Sequence, residues 1–230
     1  MSPVSPLSPL SPLNIDAVHT IIDDLGALLL FTMILIVAAG QIYRAIYAVA
    51  AQSLFIAIAG GVLAAATGNT DLWVIAAVTL CVKATLLPWV LHRVVQRMNV
   101  RREIEPVIPI AGTLALAVLI VVMSFQLSAS LGSVRLAITG NALPVGIALT
   151  LLGVLVMATR KTALTQMVGL FASENGIFFT AMAVTQGMPL IIEIGVILDV
   201  ILAALVMTIM VLRVRSTVDA DIAELDRLRG

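Results

Sequence analysis

A chain of 230 residues that is 61% hydrophobic and 11% charged, with a mean hydropathy of +1.14, lies far outside the balance of a water-soluble domain. Its 13 basic and 13 acidic residues cancel, so no bulk charge recruits nucleic acid, and no basic stripe interleaved with aromatics appears. The fold class expected is an all-α polytopic membrane protein.

The chain opens on MSPVSPLSPLSPLN, a repeated Ser-Pro-Leu unit. Proline removes amide donors and disfavours helix in the residue before it, so residues 1–20 are expected to form an extended, disordered arm. The arm lacks the basic start, apolar core and small-residue cleavage site of a signal peptide.

About seven apolar spans follow, each near the roughly 20 residues needed to cross the hydrocarbon. They fall at about 22 to 42, 45 to 67, 71 to 94, 107 to 127, 141 to 159, 162 to 186 and 188 to 213. The small-residue patches AIAGG (57–61) and AAAT (64–67) in the second suit close backbone packing. In the third, Pro88 removes the hydrogen bond to the carbonyl of Ala84 and is expected to kink the helix beside Lys83. Cys81, the single cysteine, lies in the same apolar run, which excludes an internal disulfide and leaves packing as its expected role.

Alternate loops should collect Lys and Arg on the cytoplasmic side. Arg44 follows the first span, Arg93, Arg97, Arg101 and Arg102 the third, Arg160 and Lys161 the fifth, and Arg213, Arg215, Arg227 and Arg229 the seventh. The opposite side carries Arg135 alone, and the amino-terminal segment carries Asp16, Asp23 and Asp24. That pattern predicts an outer amino terminus and an inner carboxyl terminus. Residues 21–214 form the expected transmembrane domain. The tail, 215–230, spaces Ile222, Leu225 and Leu228 as an amphipathic helix would and reads equally well as a solvated end.

Four ionisable residues fall well within the spans: Lys83, Glu174, Glu193 and Asp199. At a rise of about 1.5 Å per residue, Lys83, Glu174 and Asp199 lie roughly 16 to 18 Å deep, and Glu193 roughly 8 Å from the outer end. Each buried charge costs at least about 2.5 to 3.5 kcal/mol on insertion scales, so these residues are expected to face one another, water or another subunit. Glu193 and Asp199 stand about 120° apart around their helix, so one helix can contact two neighbours. A dry setting disfavours the charged form of an acid and of an amine alike, which is the property a proton relay needs. The competing reading is that the charges pair permanently and fix helix register. Gln166, Ser173 and Asn175 fit helix bridging better than conduction. His19 and His92 stand far apart, and no HExxH, GxxxxGK[ST], GxSxG or nucleotide-binding GxGxxG occurs.

RKTALTQMVGLFASENGIFF and PLIIEIGVILDVILAALVM, in that order, together with LCVKATLLPWVL around Lys83, resemble the hydrogenase-4 component E family of membrane subunits. The likeness runs from the second span to the basic end of the seventh and leaves out the proline-rich arm. Residues 141–214 also resemble the small K-type subunit of respiratory complex I and the C subunit of Mrp-type cation/proton antiporters. The complex I acid position falls at Phe171, whereas the acid here is Glu174, one turn onward on nearly the same face.

The resemblance implies a multi-pass subunit of a bacterial or archaeal cytoplasmic membrane, within a group 4 [NiFe]-hydrogenase or formate hydrogenlyase-like complex. Its implied partners are antiporter-like and complex I H-like membrane subunits and, through them, hydrogenase-like peripheral subunits carrying the NiFe and iron-sulfur centres. No cofactor is expected in this chain. Its implied role is to help couple electron transfer in those partners to proton translocation through Lys83, Glu174, Glu193 and Asp199. A scaffold that docks antiporter-like subunits without conducting protons is the alternative.

Overall fold

The computed structural model describes residues 15–97, 107–130 and 141–185. All regular structure in them is helical: α1 (Ile15–Ala38), α2 (Ile42–Thr67), α3 (Thr70–Arg97), α4 (Ile110–Ser130), α5 (Ala142–Thr159) and α6 (Ala163–Thr185). Helix α3 is composite, α-helical over Thr70–Val78 and Leu87–Arg97 and π-helical over Thr79–Leu86 between them. Five helices, α1 to α5, are long and apolar enough to cross a membrane. Helix α6 matches the expected sixth span in position and length, but Gln166, Ser173, Glu174 and Asn175 make it more polar. The expected seventh span, with Glu193 and Asp199, and the tail lie outside the described residues, as do Arg101, Arg102 and Arg135.

Helix α1 begins at Ile15, so the end of the expected arm is already helical. Asp16 in its first turn suits the positive end of the helix dipole. Val18, Ile22, Leu25, Leu29, Met33 and Ile36 recur at helical spacing and are all buried. Helix α2 starts at Ile42, which puts Arg44 in its first turn rather than in a loop. It ends on Gly68, whose φ of 68° is left-handed and whose N–H closes back on the Ala64 carbonyl. Asn69 then caps α3, its side chain accepting from the Asp71 N–H at 3.0 Å. Two residues therefore turn α2 directly into α3.

Packing follows membrane rules, in which lipid offers apolar groups as good a home as the interior does. Helix α2 is central, with 56% of its most apolar stretch buried against 17% for α4. Thr113, Ala117 and Ser124 of α4 turn inward, while Val118, Leu119 and Met123 are exposed. The closest helix pair, α5 with α6, meets through glycines. A Cβ on Gly153 would stand 2.4 Å from the Ser173 nitrogen, and one on Gly176 would stand 2.4 Å from the Thr150 nitrogen. Gly146 and Gly169 are also closed, with a Cβ 2.2 Å from Thr180 and 2.9 Å from Gly153 and Met157 respectively. The α2 patch packs less tightly, with the Met182 side chain 3.2 Å from a Cβ on Gly60 and Trp73 3.7 Å from one on Gly61.

Polar side chains tie the bundle at both ends. The Asp23 carboxylate accepts from the Asn141 N–H at 2.8 Å, joining the amino-terminal ends of α1 and α5. At the opposite end Arg160 is 3% exposed and donates through Nη2 to the Val37 carbonyl at 2.6 Å. That carbonyl is among the last of α1, which has no partner within its own helix. Burial pushes the Arg160 guanidinium below the usual arginine range by desolvation. Sequence position alone suggests a solvated loop charge for Arg160; the structure makes it a buried clasp.

Candidate functional site

The expected kink at Pro88 takes a specific form. Proline cannot donate to Ala84, and the hydrogen-bond ladder before it slips by one residue, the Leu87 N–H closing on the Val82 carbonyl. The slip widens the turn that carries Lys83 and aims its side chain into the bundle, where the residue is 6% exposed. Cys81, on the same turn, is exposed, so it does not fill the core as expected.

Lys83 meets Glu174 of α6. Nζ lies 3.2 Å from Oε1, and the two side chains are 7% and 6% exposed. Estimated depth put these residues level, and the structure brings them into an ion pair. Glu193 and Asp199 lie outside the described residues.

Four consecutive residues of α6 explain how Glu174 is held. Successive side chains point about 100° apart around a helix, so Ser173, Glu174, Asn175 and Gly176 address different neighbours. Ser173 donates its hydroxyl to the Thr150 carbonyl of α5 at 3.1 Å. Glu174 turns to Lys83 of α3. Asn175 donates through Nδ2 to Gln52 Oε1 at 3.2 Å and Ser53 Oγ at 3.1 Å, both on α2. Gly176 returns to α5, where its missing side chain lets the backbones touch. Gln52 continues the row to α1, its amide 3.8 Å from Met33 Sδ.

Gln52, Ser53 and Asn175 are at most 1% exposed. A buried amide is tolerated when its hydrogen bonds are made, and the Nδ2 side of Asn175 is fully used. Its Oδ1 has no hydrogen-bond partner among the described residues. Asn175 and Ser173 bridge helices, as polar residues in a bundle commonly do. Gln166 does so locally, donating to the Arg160 carbonyl at 3.0 Å.

Sequence reasoning missed Gln52 and Ser53. The signal was present, since they are adjacent polar residues in the middle of α2. It also missed the α5–α6 seam, although Gly146 with Gly153 and Gly169 with Gly176 repeat the same spacing. Among the described residues, no cluster of three or more His, Cys, Asp or Glu could hold a metal ion.

Chemically, the site is an acid and an amine in ion-pair contact at 3.2 Å, with both side chains buried. One proton can pass from the ammonium to the carboxylate and leave both groups neutral, or either can exchange with a third group. The polar row from Asn175 to Gln52 borders this pair on the α2 side.

No family model matches the chain, and no solved structure matches it. Over 152 residues it is 34% identical to the uncharacterized protein Rv0085 of Mycobacterium tuberculosis (strain ATCC 25618 / H37Rv), covering 65% of this chain and 69% of that protein. The chain belongs to the same family as that mycobacterial protein.

Proposed function

We propose that this chain, and with it that family, is an integral membrane subunit of a hydrogenase-4 or formate hydrogenlyase-like redox complex. In this reading it helps couple electron transfer in partner subunits to proton translocation. The observation that carries the proposal is the buried Lys83–Glu174 pair at 3.2 Å, set in a π-helical turn of a helix long and apolar enough to span a bilayer. π-Turns of this kind cluster at functional sites, and an ionisable pair at such depth is a functional hypothesis by default. The resemblance of the segments around Lys83 and Glu174 to hydrogenase-4 component E supplies the redox context.

In the proposed mechanism Glu174 takes up and releases the proton, and the Lys83 ammonium sets its affinity by proximity. Glu193 and Asp199 carry the proton onward to the outer side or to a neighbouring subunit. Antiporter-like and complex I H-like subunits flank the chain, and the NiFe and iron-sulfur centres belong to peripheral partners. The host membrane is a bacterial or archaeal cytoplasmic membrane, crossed about seven times, with the amino terminus outside.

A second reading has its own observation. Ser173, Glu174, Asn175 and Gly176 each engage a neighbouring helix of this chain, which suits charges that fix helix register in a scaffold. One variant separates the two. Glu174→Gln, introduced into the intact complex, is expected to cut redox-driven proton translocation while the complex still migrates whole on a native gel. Dissociation of the complex before any change in turnover favours the scaffold, and wild-type translocation by an intact variant removes Glu174 from the mechanism.

A further inference from the structure

The two tryptophans of the chain sit on α3 as Trp73 and Trp89, and both are more than half exposed, at 54% and 56%. Sixteen residues of helix place them roughly 24 Å apart along the axis, close to the roughly 30 Å of a hydrocarbon core. Exposed tryptophans at that separation mark the two membrane–water interfaces.

The Trp89 end differs from the Trp73 end in charge. The first turn of α3, two residues before Trp73, carries Asp71. Around Trp89 the guanidinium of Arg93 stacks 4.9 Å from the indole centroid. His92, the residue before Arg93, packs its ring 4.9 Å from that of Tyr43 and 6.3 Å from that of Tyr47. Arg44 follows Tyr43 at the start of α2, so one exposed arginine flanks the aromatic contact on each helix. Among the described residues neither arginine makes an ion pair. Helix α2 contains no acid, and α3 contains none after Asp71.

The geometry points to this surface at the start of α2 and the end of α3 as a binding site for the phosphate of an anionic phospholipid. Tyr43, Tyr47 and Trp89 set the depth at headgroup level, and Arg44 and Arg93 supply the positive charge. Basic residues at such a surface contribute about 1 kcal/mol each toward anionic lipid, a factor of about five in relative affinity. The proposal rests on the membrane reading and not on proton coupling.

Trp73→Phe leaves Trp89 as the sole tryptophan of the chain, excited selectively at wavelengths tyrosine does not absorb. Reconstituted in phosphatidylcholine vesicles, this protein is expected to be quenched at lower mole fraction by dibrominated phosphatidylglycerol than by dibrominated phosphatidylcholine. The expected difference is about fivefold or more. Arg44→Gln with Arg93→Gln should bring the ratio to about one, and Arg93→Lys should retain most of it. Equal quenching by the two lipids, or a preference that survives loss of both arginines, overturns the proposal. Abolition of the preference by inorganic phosphate at constant ionic strength makes this surface a free-phosphate site and overturns the lipid assignment. Quenching by neither lipid overturns the membrane reading itself.

Discussion

Two junctions hold α6 in place, and they are built from opposite materials. Against α5 it lies on glycine, with Gly146, Gly153, Gly169 and Gly176 admitting backbone to backbone and one hydroxyl bond across the seam. Against α2 and α3 it presents a carboxylate and an amide to an ammonium, an amide and a hydroxyl. The first junction shows that this chain can join helices tightly without a buried charge, since van der Waals contact between close backbones supplies the attraction in lipid. Adhesion therefore does not account for Lys83 and Glu174. A charge pair that costs desolvation and is not needed for packing has to be explained by specificity or by chemistry.

The sharpest way to break the comparison is to fill the glycine seam. Gly153→Leu puts a branched side chain where even a Cβ would stand 2.4 Å from the Ser173 backbone. No folded protein is expected on size-exclusion chromatography in detergent. Gly61→Ala is the control, because its Cβ meets only Trp73 at 3.7 Å, an ordinary contact. If Gly153→Leu folds and melts like the native chain, α5 and α6 are not locked as described.

The polar junction should fail differently. Lys83→Met leaves Glu174 buried without its ammonium, and breaking a buried pair costs about 3 to 5 kcal/mol. Lys83→Met combined with Glu174→Leu removes both charges and, by the same reasoning, should recover most of that loss. Thermal melts of the detergent-solubilised chain test both, and the double variant sharpens the comparison further. A double variant as stable as the native chain, but unable to support translocation in its complex, would assign the charges to chemistry. If the double variant is no more stable than Lys83→Met, the pair is itself a structural element.

Depth was legible in the sequence, and rotation was not. Span ends and a fixed rise place Lys83 and Glu174 at one level, because position along a helix follows from counting residues. Which neighbour each residue faces depends on how the helices turn against one another, and the contacts that fix this for Lys83 and Asn175 join elements distant in sequence. Gln52 and Ser53 were thus visible as polar residues but not as partners of Asn175. Arg160 read as a loop cation because nothing local announces that the α1 carbonyls end beside it. Pro88 announced a lost hydrogen bond, yet whether the helix bends or slips its ladder depends on the surrounding packing.

The smallest expected effect tests the seam from its mid-helix hydroxyl contact. Ser173 Oγ donates to the Thr150 carbonyl at 3.1 Å, but that carbonyl belongs to a helix and keeps its own backbone partner within α5. Hydrogen bonds between helices in a membrane average about 0.6 kcal/mol, because the separated helices also find partners in lipid. Ser173→Ala keeps the small side chain that the glycines opposite require, so the close approach survives. Its melt should shift by no more than that average, about 0.6 kcal/mol, far below Lys83→Met. A loss as large as that from Lys83→Met would mean that polar bonding, and not backbone proximity, holds α5 to α6. The contrast between the two junctions, and the inference that the buried charges are surplus to packing, would then fall together.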